Sequence, residues 1–286
     1  MTAQPAKPPM TPDLTLIQLS DTHLLPEGEL MHGLVDTAAN LTRALAMVEE
    51  SGQPVSAFLL TGDLTDDGSP AAYRRLRHLV EPVAERLGAQ VLYAMGNHDT
   101  RPAFRAELLD GAACDGVHQI GGLRVIVLDS TEPGRHDGYL SDEQLGGLGE
   151  VLAEPAPLGS LLAFHHPPVP SPVPTVHLLR MREAERLAPV LEGRDVRLVV
   201  TGHAHHAGCG SIGGVPVWVG PALAYGVAGT PPHGRLGAHA DAAFSRIDVF
   251  GTQVVATAVP LSHAAQVYDT DREARVRLIR EAVAKW

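Results

Sequence analysis

Cysteine is scarce in this sequence, because only Cys114 and Cys209 occur among 286 residues. A framework of several disulfides, of the kind that stabilises small secreted proteins, is therefore excluded. A single bridge between these two residues stays open. Two free thiols in a reducing cytoplasm are the default expectation.

Long apolar runs are missing too. No stretch approaches the roughly 20 apolar residues that a membrane-spanning helix requires, so we expect no membrane association. The first residues, MTAQPAKPPMTPD, contain four prolines and no apolar core. We expect residues 1–12 to form a disordered lead-in rather than a signal peptide.

Positive charge is in deficit. The chain has 22 Lys and Arg against 33 Asp and Glu, which gives a formal net charge of −11. A surface that follows the phosphates of a nucleic acid needs the opposite balance, so nucleic acid is not an expected partner. The composition leaves the oligomeric state open, a homodimer included.

What the chain does have is enough apolar character for a large core, since 44% of its residues are hydrophobic. We expect one globular domain over residues 13–286, because no repeat or linker-like change of composition interrupts it. Apolar runs predict strands at 14–19, 57–61, 90–95, 124–129, 161–165, 197–201, 215–219, 243–250 and 253–259. Helical periodicity predicts helices at 37–50, 70–87, 102–110, 141–153 and 178–191.

Early strands and helices alternate, which indicates an α/β core with parallel pairing. The late strands have no helices between them, which suggests a mixed or antiparallel second sheet. A last helix is expected near the C-terminus, where Thr270 and Glu273 have the spacing of a capping box. Its apolar face would be formed by Leu278, Ile279, Ala282 and Val283. Two segments rich in Pro and Gly, 167–175 and 221–242, are expected to be irregular.

Polar side chains follow five of the predicted strands at the point where each strand ends. They are Asp21 and His23, Asp63, Asn97 and His98, His165 and His166, and His203 and His205. Side chains two positions apart on an extended chain point the same way, so Asp21 and His23 could converge on one point. Ligands bind beyond the carboxyl ends of strands in open α/β sheets, so the five strand ends are expected to form one site.

Histidine is abundant, with 15 in the chain, and the strand-end groups are carboxylates, an amide and imidazoles without a thiolate. This donor set suits Mn, Fe, Zn or Co. Seven such groups are too many for one tetrahedral ion. They suit two ions about 3.5–4 Å apart that share a carboxylate, an arrangement that serves phosphoryl hydrolysis.

The ordered motifs resemble those of the calcineurin-like metallophosphoesterases over residues 14–260. They are Asp-x-His (21–23), Gly-Asp (62–63), Gly-Asn-His-Asp (96–99), His-His-Pro-Pro (165–168) and Gly-His-x-His (202–205). The stretches LSDTHL, TGDL, AAYRRLR, MGNHD, GLRVIVLD and HHPP are similar to the bacterial class III cyclic nucleotide phosphodiesterases, the mycobacterial members in particular. The resemblance implies an α/β fold, a four-layer αββα sandwich of two mixed sheets.

The resemblance also implies a ligand set in which Asp63 bridges two ions. Asp21, His23, Asp63 and His205 would hold one ion, and Asp63, Asn97, His165 and His203 the other. The family's His-x-Pro pattern selects His165 rather than His166, which would be a neighbour. His206 would be a bystander.

The expected reaction is hydrolysis of a phosphodiester. Two ions lower the pKa of a shared water and supply a hydroxide for in-line attack on phosphorus. Asp63 is expected to be essential as the bridging carboxylate. His98 is the candidate general acid for the leaving oxygen, and the resemblance implies the same. Asp99 either orients His98 or caps the helix that begins near Arg101.

The substrate class follows from departures in the motifs. Relatives that act on protein phosphomonoesters carry Asp-Arg-Gly after Gly-Asp and Glu after Gly-Asn-His, whereas this chain has GDLTDDG and GNHD. A dianionic monoester would need more cations than Arg101 alone. We therefore expect a small-molecule diester as substrate, 3′,5′-cAMP or a 2′,3′-cyclic nucleotide. Another diester such as a glycerophosphodiester, a nuclease of the same fold, and a binding module without chemistry are the alternatives.

Substrate contacts are expected from Asn97, His98 and Tyr225. For Tyr225 the role would be stacking on a base, with simple packing under a loop as the alternative. His136, His233 and His239 either line the mouth of the pocket or lie on solvated loops, and we expect the second.

Overall fold

Two mixed sheets form the centre of the structure, a computed structural model that describes residues 11–262 and 267–283. The predicted N-terminal lead-in lies outside the described residues as far as residue 10. The strands are β1 (Leu14–Leu19), β2 (Ala57–Thr61), β3 (Gln90–Ala94), β4 (Gly116–Ile120), β5 (Leu123–Val127), β6 (Ser160–Ala163), β7 (Val196–Thr201), β8 (Gly208–Ile212), β9 (Val215–Val219), β10 (Gly226–Val227), β11 (Ala238–His239), β12 (Ala243–Phe250) and β13 (Gln253–Pro260).

The helices are α1 (Thr37–Glu50), α2 (Pro70–Leu87), α3 (Arg101–Leu108), α4 (Asp142–Val151), α5 (Pro174–Leu178), α6 (Ala188–Leu191) and α7 (Arg272–Val283), with a 3₁₀ turn at Ala184–Leu187. The first sheet has the order β13-β12-β1-β2-β3 and the second the order β4-β5-β6-β7-β9-β8. The pairs β1–β2, β2–β3, β5–β6, β6–β7 and β7–β9 are parallel. The β10–β11 pair stands apart from both sheets.

Three apolar layers hold the elements together. The layer between the sheets contains Leu16 and Leu59 from one sheet and Leu161 from the other, all without exposed surface. Burying each such side chain stabilises the fold by about 1.5–3 kcal/mol. Outside the first sheet α1–α3 pack through residues such as Phe104, and outside the second α4–α6 pack through residues such as Leu191. The predicted four-layer α/β sandwich is confirmed.

Helix α2 shows why several predicted boundaries are correct. The side chain of Ser69 accepts a hydrogen bond from the backbone of Ala72, and Pro70 occupies the first turn, where its missing N–H costs nothing. Gly88 ends the helix in the left-handed conformation at φ +66°. These local signals are all readable from sequence.

The helix predicted at 178–191 is wrong. Helix α5 ends at Leu178, and Glu183 has a φ of +49°, which no helix can continue through. Pro189 lacks the N–H that a continuous helix would need there, so only a 3₁₀ turn and the short α6 form. The apolar residues that suggested a helix do pack into the core, but they do so from an irregular segment.

The strand predictions missed β4 and β8, and also the two-residue strands β10 and β11 within the segment 221–242 that was expected to be irregular. They also misplaced part of the C-terminal half. The sequence of β8, GCGSI, has no apolar alternation because it is an exposed edge strand. Of the late strands, β9 joins the second sheet as predicted, but β12 pairs antiparallel with β1 and therefore extends the first sheet. Such long-range pairing leaves no local signal.

The C-terminal helix begins differently from the prediction. The carboxylate of Asp271 accepts a hydrogen bond from the backbone of Ala274 at 2.7 Å, so the capping box of Thr270 and Glu273 is wrong. No side chain of α7 is buried, and Leu278 and Ile279 are 56% and 51% exposed. Both cysteines are free thiols. Among the described residues, no helix combines the length and apolar character that spanning a bilayer requires.

Candidate metal centre

The polar strand ends of both sheets meet at one edge of the sandwich. The first sheet contributes the ends of β1, β2 and β3, and the second contributes the ends of β6 and β7. Groups of three potential ligands whose donor atoms lie within 4.8 Å of one another are Asp21–His23–His205, Asp21–Asp63–His165, His165–His166–His203 and His23–Asp66–His98. The predicted convergence of the five strand ends is present in the structure.

The backbone at these positions is unusual. Left-handed φ angles occur at Asp21 (51°), His23 (39°), Asp63 (48°), His203 (69°) and His205 (51°). The extended conformation expected for Asp21 and His23 is therefore wrong, and the left-handed turns redirect their side chains instead. Such conformations cost of order 1–3 kcal/mol each and persist where the surroundings impose them, characteristically at functional sites.

The glycine of the last motif permits the approach of the two sheets. A Cβ atom at Gly202 would lie 1.9 Å from Ser20 Oγ and 2.6 Å from Asp21 Oδ2. The backbone N–H of His203 can then donate to both oxygens of Asp21 at 3.0 Å. The loop after β7 is thus attached directly to the carboxylate that ends β1.

Hydrogen bonds donated by Nδ1 fix the tautomers of His23 and His205. His205 Nδ1 lies 3.0 Å from the carbonyl oxygen of Tyr225, which can only accept, and His23 Nδ1 lies 3.0 Å from the carboxylate of Asp66. Both Nδ1 atoms therefore donate, so in the neutral rings both Nε2 atoms carry lone pairs. Those Nε2 atoms are 3.2 Å apart. Nitrogen ligands about 2.1 Å from a shared ion are about 3.0–3.4 Å apart, so a cation fits between them.

The second half of the site repeats this pattern. His165 Nδ1 donates to the carbonyl oxygen of Thr61 at 2.8 Å, so its Nε2 faces inward. That Nε2 lies 3.2 Å from His203 Nδ1 and 3.2 Å from Asp63 Oδ2. A neutral imidazole lone pair against a carboxylate is repulsive, so this contact requires a proton or a metal cation between the two atoms.

Asp63 lies between the two halves. Its Oδ1 accepts a hydrogen bond from the backbone N–H of His98 at 2.8 Å, which fixes the carboxylate. Its Oδ2 is 3.6 Å from His23 Nε2 and 3.2 Å from His165 Nε2. Asn97 adds a further ligand candidate, because its buried Oδ1 finds no hydrogen-bond partner among the described residues.

Burial and charge set the protonation of the site. Burial lowers the pKa of His203 to about 3 and that of His205 well below its usual range, so both rings are neutral and can bind a metal. Burial also opposes ionisation of Asp63, but His165 and His23 outweigh it and hold the pKa of that carboxyl well below normal. Burial lowers the pKa of His165, yet Asp63 and Asp21 raise it to about 9.

His98 lies beside the two halves rather than within them. Its Nδ1 is 3.1 Å from the carbonyl oxygen and 3.3 Å from the carboxylate of Asp66, and its side chain is 38% exposed. Asp66 therefore contacts both His23 and His98. Sequence reasoning missed Asp66, because GDLTDDG offers three aspartates that look alike; its position three residues after Asp63 is the only signal.

Asp99 does not do what was predicted. Its carboxylate accepts hydrogen bonds from the backbone N–H groups of Leu64 and Gly96 and from the Tyr73 hydroxyl, the last at 2.9 Å. It neither orients His98 nor caps α3, whose N-cap is Thr100. Asp99 instead ties the loop after β2 to the loop after β3.

The other five histidines considered in the sequence analysis either lie beside the site or lie away from it. His166 is buried, with Nδ1 2.9 Å from Ser130 Oγ, and His136 lies at the mouth of the site with its ring centroid 6.4 Å from that of His98. His136 is exposed on a loop as predicted, but that loop borders the site. Three others lie away from the ligand groups: His206, whose Nε2 contacts Ser171, and the exposed His233 and His239.

Two cavities open beside His98. One, of about 700 Å³, is also lined by Asn97, Arg101, Arg135 and His136. The other, of about 350 Å³, is lined by His23, Leu30, His32 and Tyr225, among others. Tyr225 is half-buried, and its ring centroid lies 4.3 Å from that of His205. A ligand at the metal centre therefore has room on two sides.

The chain is similar to known phosphoesterases over most of its length. The family model for calcineurin-like phosphoesterases matches residues 14–207. A Rhodococcus erythropolis protein named a probable cyclic nucleotide phosphodiesterase is 42% identical over 271 residues, 91% of this chain and 89% of that protein. A Mycobacterium tuberculosis protein named a cAMP/cGMP dual specificity phosphodiesterase is 42% identical over 258 residues, 87% of this chain and 80% of that protein.

Solved structures support the same fold at low sequence identity. A dimetal phosphatase from Danio rerio aligns with a TM-score of 0.63 at 17% identity and covers 88% of this chain and 98% of its own. A purple acid phosphatase from yellow lupin aligns with a TM-score of 0.65 at 14% identity, over 90% of this chain and 52% of its own.

The two contacts that need a proton or a metal cation, the carboxylate between them and the similarity to known phosphoesterases all point to the same kind of site. His and Asp side chains form candidate ligand groups for divalent metal ions where the matching motifs end. This chain belongs to the calcineurin-like phosphoesterase family.

Proposed function

We propose that this protein is a dinuclear metal-dependent phosphodiesterase that hydrolyses cyclic nucleotides, either 3′,5′-cAMP or 2′,3′-cyclic nucleotides or both. The observation that carries the proposal is the position of Asp63, whose Oδ2 faces His23 on one side and His165 on the other. The names of the two relatives at 42% identity support the substrate class.

Each half of the site forms one ion site in this proposal. Asp21, His23, Asp63 and His205 hold one ion, and Asp63, Asn97, His165 and His203 hold the other. Two divalent cations bound there would supply the Lewis acidity and the activated water that hydrolysis of a phosphodiester requires. Imidazole and carboxylate donors suit Mn, Fe, Zn or Co.

His98 delivers the proton to the leaving oxygen. Asp66 occupies its Nδ1, so Nε2 is the nitrogen that can carry a proton to a substrate in either cavity. The hydrogen bond to Asp66 raises the pKa of His98 to about 9, so the ring is protonated at neutral pH, as a general acid must be. The Asp66 carboxylate holds the ring in place during the transfer.

The charge around the larger cavity favours a diester over a monoester. Three arginines line this cavity, and Arg105 donates to backbone carbonyl oxygens. The other two pair with carboxylates, Arg101 with Asp129 at 2.7 Å and Arg135 with Asp137 at 2.7 Å. These two guanidinium groups are therefore neutralised and do not offer the additional positive charge that a dianionic monoester needs. A diester carries one negative charge and needs less compensation.

The nucleobase binds in the smaller cavity, where Tyr225 offers a ring on which it can stack. Base–aromatic stacking contributes about 1–3 kcal/mol per base. Tyr225 also packs against Leu25, Met31 and Val35, so its position is fixed before a ligand arrives. Stacking and packing are compatible, since the side chain is only half-buried.

The cellular location and the oligomeric state of the enzyme are also proposed. We place it in the cytoplasm, which cell fractionation with an antibody to this chain tests. A homodimer stays a hypothesis for the oligomeric state, and sedimentation velocity on the full chain tests it.

Substrate turnover tests the proposal most simply. The Mn-loaded protein is assayed on 3′,5′-cAMP, 2′,3′-cAMP, glycerophosphocholine, single-stranded DNA and p-nitrophenyl phosphate, with a chelator control. We expect the highest kcat/KM on a cyclic nucleotide and no turnover with chelator. A preference for glycerophosphocholine or DNA would favour one of the alternative diesters, and a preference for the monoester would contradict the proposal.

A further inference from the structure

One amide side chain crosses the layer between the two sheets directly beneath the metal centre. Gln18, on β1, is 1% exposed. Its Nε2 donates to Thr61 Oγ1 and to the carbonyl oxygen of Thr201, both at 2.9 Å. Thr61 ends β2 in the first sheet and Thr201 ends β7 in the second, so the amide connects the sheets.

The orientation of this amide is determined by its partners. The carbonyl oxygen of Thr201 can only accept, so the nitrogen of the amide must face it. Gln18 Oε1 is then left buried without a hydrogen-bond partner among the described residues. Its neighbour Leu16 belongs to the apolar layer, where an apolar side chain would avoid this penalty. A polar side chain in such a place indicates a geometric requirement.

The partners of Gln18 lead into the ligand loops. The carbonyl oxygen of Thr61 accepts the Nδ1 hydrogen of His165 at 2.8 Å, and Thr61 is followed by Gly62 and Asp63. Thr201 is followed by Gly202 and then His203. In each sheet, therefore, a threonine bound by Gln18 directly precedes a loop that carries ligands of the second ion site.

Gly220 supplies an independent observation. A Cβ atom there would lie 2.5 Å from Gln18 Oε1 and 2.6 Å from Nε2, so only glycine leaves room for the amide. The backbone N–H of Gly220 donates to the same carbonyl oxygen of Thr201 at 2.8 Å. The chain after β9 is shaped around this side chain.

We propose that Gln18 is a positioning residue that holds the ends of β2 and β7 at the separation the second ion site requires. This inference rests on the proposed dinuclear centre. Without the amide, the two sheets still pack, but Asp63 and His165 shift relative to His203. The second ion then binds more weakly while the first site, formed by Asp21, His23 and His205 with Asp63, is less affected.

A second polar link between the sheets offers a matched control. Trp218 Nε1 donates to Ser245 Oγ at 2.9 Å, and Ser245, also 1% exposed, pairs with Gln18 across β1 and β12. This link joins β9 to β12, through the indole rather than through the threonines of the ligand loops. Ser245→Ala removes an inter-sheet hydrogen bond of the same kind.

Calorimetric titration of the full chain with Mn²⁺ after chelator dialysis tests the proposal, with wild type, Gln18→Met and Ser245→Ala compared. We expect the Kd of the second ion to rise about 10–100-fold in Gln18→Met, the range for residues that orient ligands. The exchange-coupled electron paramagnetic resonance signal of the Mn pair should weaken in parallel. Ser245→Ala should keep the wild-type Kd values of both ions, even if its Tm falls as much as that of Gln18→Met.

Gly220→Ala provides a second variant, since the added methyl displaces the amide from the opposite side and should weaken the same ion. Wild-type Kd values in both Gln18→Met and Gly220→Ala would overturn the inference and leave the proposed function intact. An equal rise in the Kd of the second ion in Ser245→Ala would overturn it too, because a general loosening of the contact between the sheets would then explain the effect of Gln18→Met. A wild-type chain that binds fewer than two ions would overturn the proposed function itself.

Discussion

His23 and His205 present their Nε2 atoms to each other at 3.2 Å, although 182 positions separate them in the sequence. Asp66 and the carbonyl oxygen of Tyr225 occupy the two Nδ1 atoms, so neither ring can donate from Nε2 while neutral. Two facing lone pairs repel each other, so this contact requires a proton or a metal cation between the two atoms. We propose that this contact, and that of His165 with Asp63, are metal sites.

Replacement of Asp63 should remove both ions at once. Its Oδ2 faces both halves of the site, so Asp63→Ala deprives each ion of a ligand and loses activity together with metal. Elemental analysis of the purified variant beside a turnover assay measures both. Asp67→Asn, an exposed neighbour in the same loop, is the control and should keep two ions. Turnover of a diester by Asp63→Ala at the wild-type rate would show that the assignment is wrong.

The adjacent histidines His165 and His166 should differ in effect. His165 faces Asp63 and His203 and is proposed as a ligand, so His165→Ala should lose the second ion. His166 is attached to Ser130 and supports the site from outside, so His166→Ala should weaken metal binding only about 10-fold. Calorimetric titration with Mn²⁺ measures both Kd values. The reverse order of severity would exchange their roles.

His98 should matter according to the leaving group. His98→Ala should retain both ions and lose about 10²–10⁴-fold in kcat on a cyclic nucleotide, because its alkoxide leaving group needs a proton. On bis(p-nitrophenyl) phosphate the loss should be smaller, since p-nitrophenolate is stable as an anion. Steady-state kinetics on both substrates measure the ratio of the two losses.

Equal losses on both substrates, with metal retained, would mean that His98 positions the phosphoryl group instead of protonating the leaving oxygen. Loss of one ion from His98→Ala would make it a ligand.

Asp66 should control the alkaline side of the pH–rate profile. Its hydrogen bond raises the pKa of His98, so the imidazolium persists below that pKa and is lost as the pH rises through it. Asp66→Asn removes the negative charge, and the alkaline decline in kcat should move to lower pH by about 1–3 units. The amide oxygen of Asn can still accept from His23 Nδ1, so metal content should stay the same. An unchanged alkaline limb of the pH–rate profile would show that Asp66 does not control the protonation of His98.

The parts of the fold that could be predicted are those with local causes. Strand β1 and helix α2 have the predicted bounds, because a short apolar run or a cap at each end specifies them. The convergence of the five strand ends followed from the general placement of sites at the carboxyl ends of parallel strands. The break at Glu183 could not be predicted, because its positive φ depends on contacts such as the backbone bond of Arg182 to Gly138.

The missed residues depend on how loops fold back. Asp66 contacts His23 and His98 only because the loop after β2 turns toward the loop after β3, and Asp99 makes that turn by binding backbone groups of both. Nothing in the sequence distinguishes Gln18 from other strand residues. Its role depends on the second sheet, which lies opposite it in the structure. Local patterns identify candidate ligands, whereas the residues that orient them come from tertiary contacts.

Anomalous diffraction at the manganese edge, from crystals of the full chain grown with Mn²⁺, tests the central claim most directly. We predict two peaks about 3.5–4 Å apart on either side of Asp63, one beside His23 and His205 and the other beside His165 and His203. A single peak, or two peaks that do not share Asp63, would contradict the account.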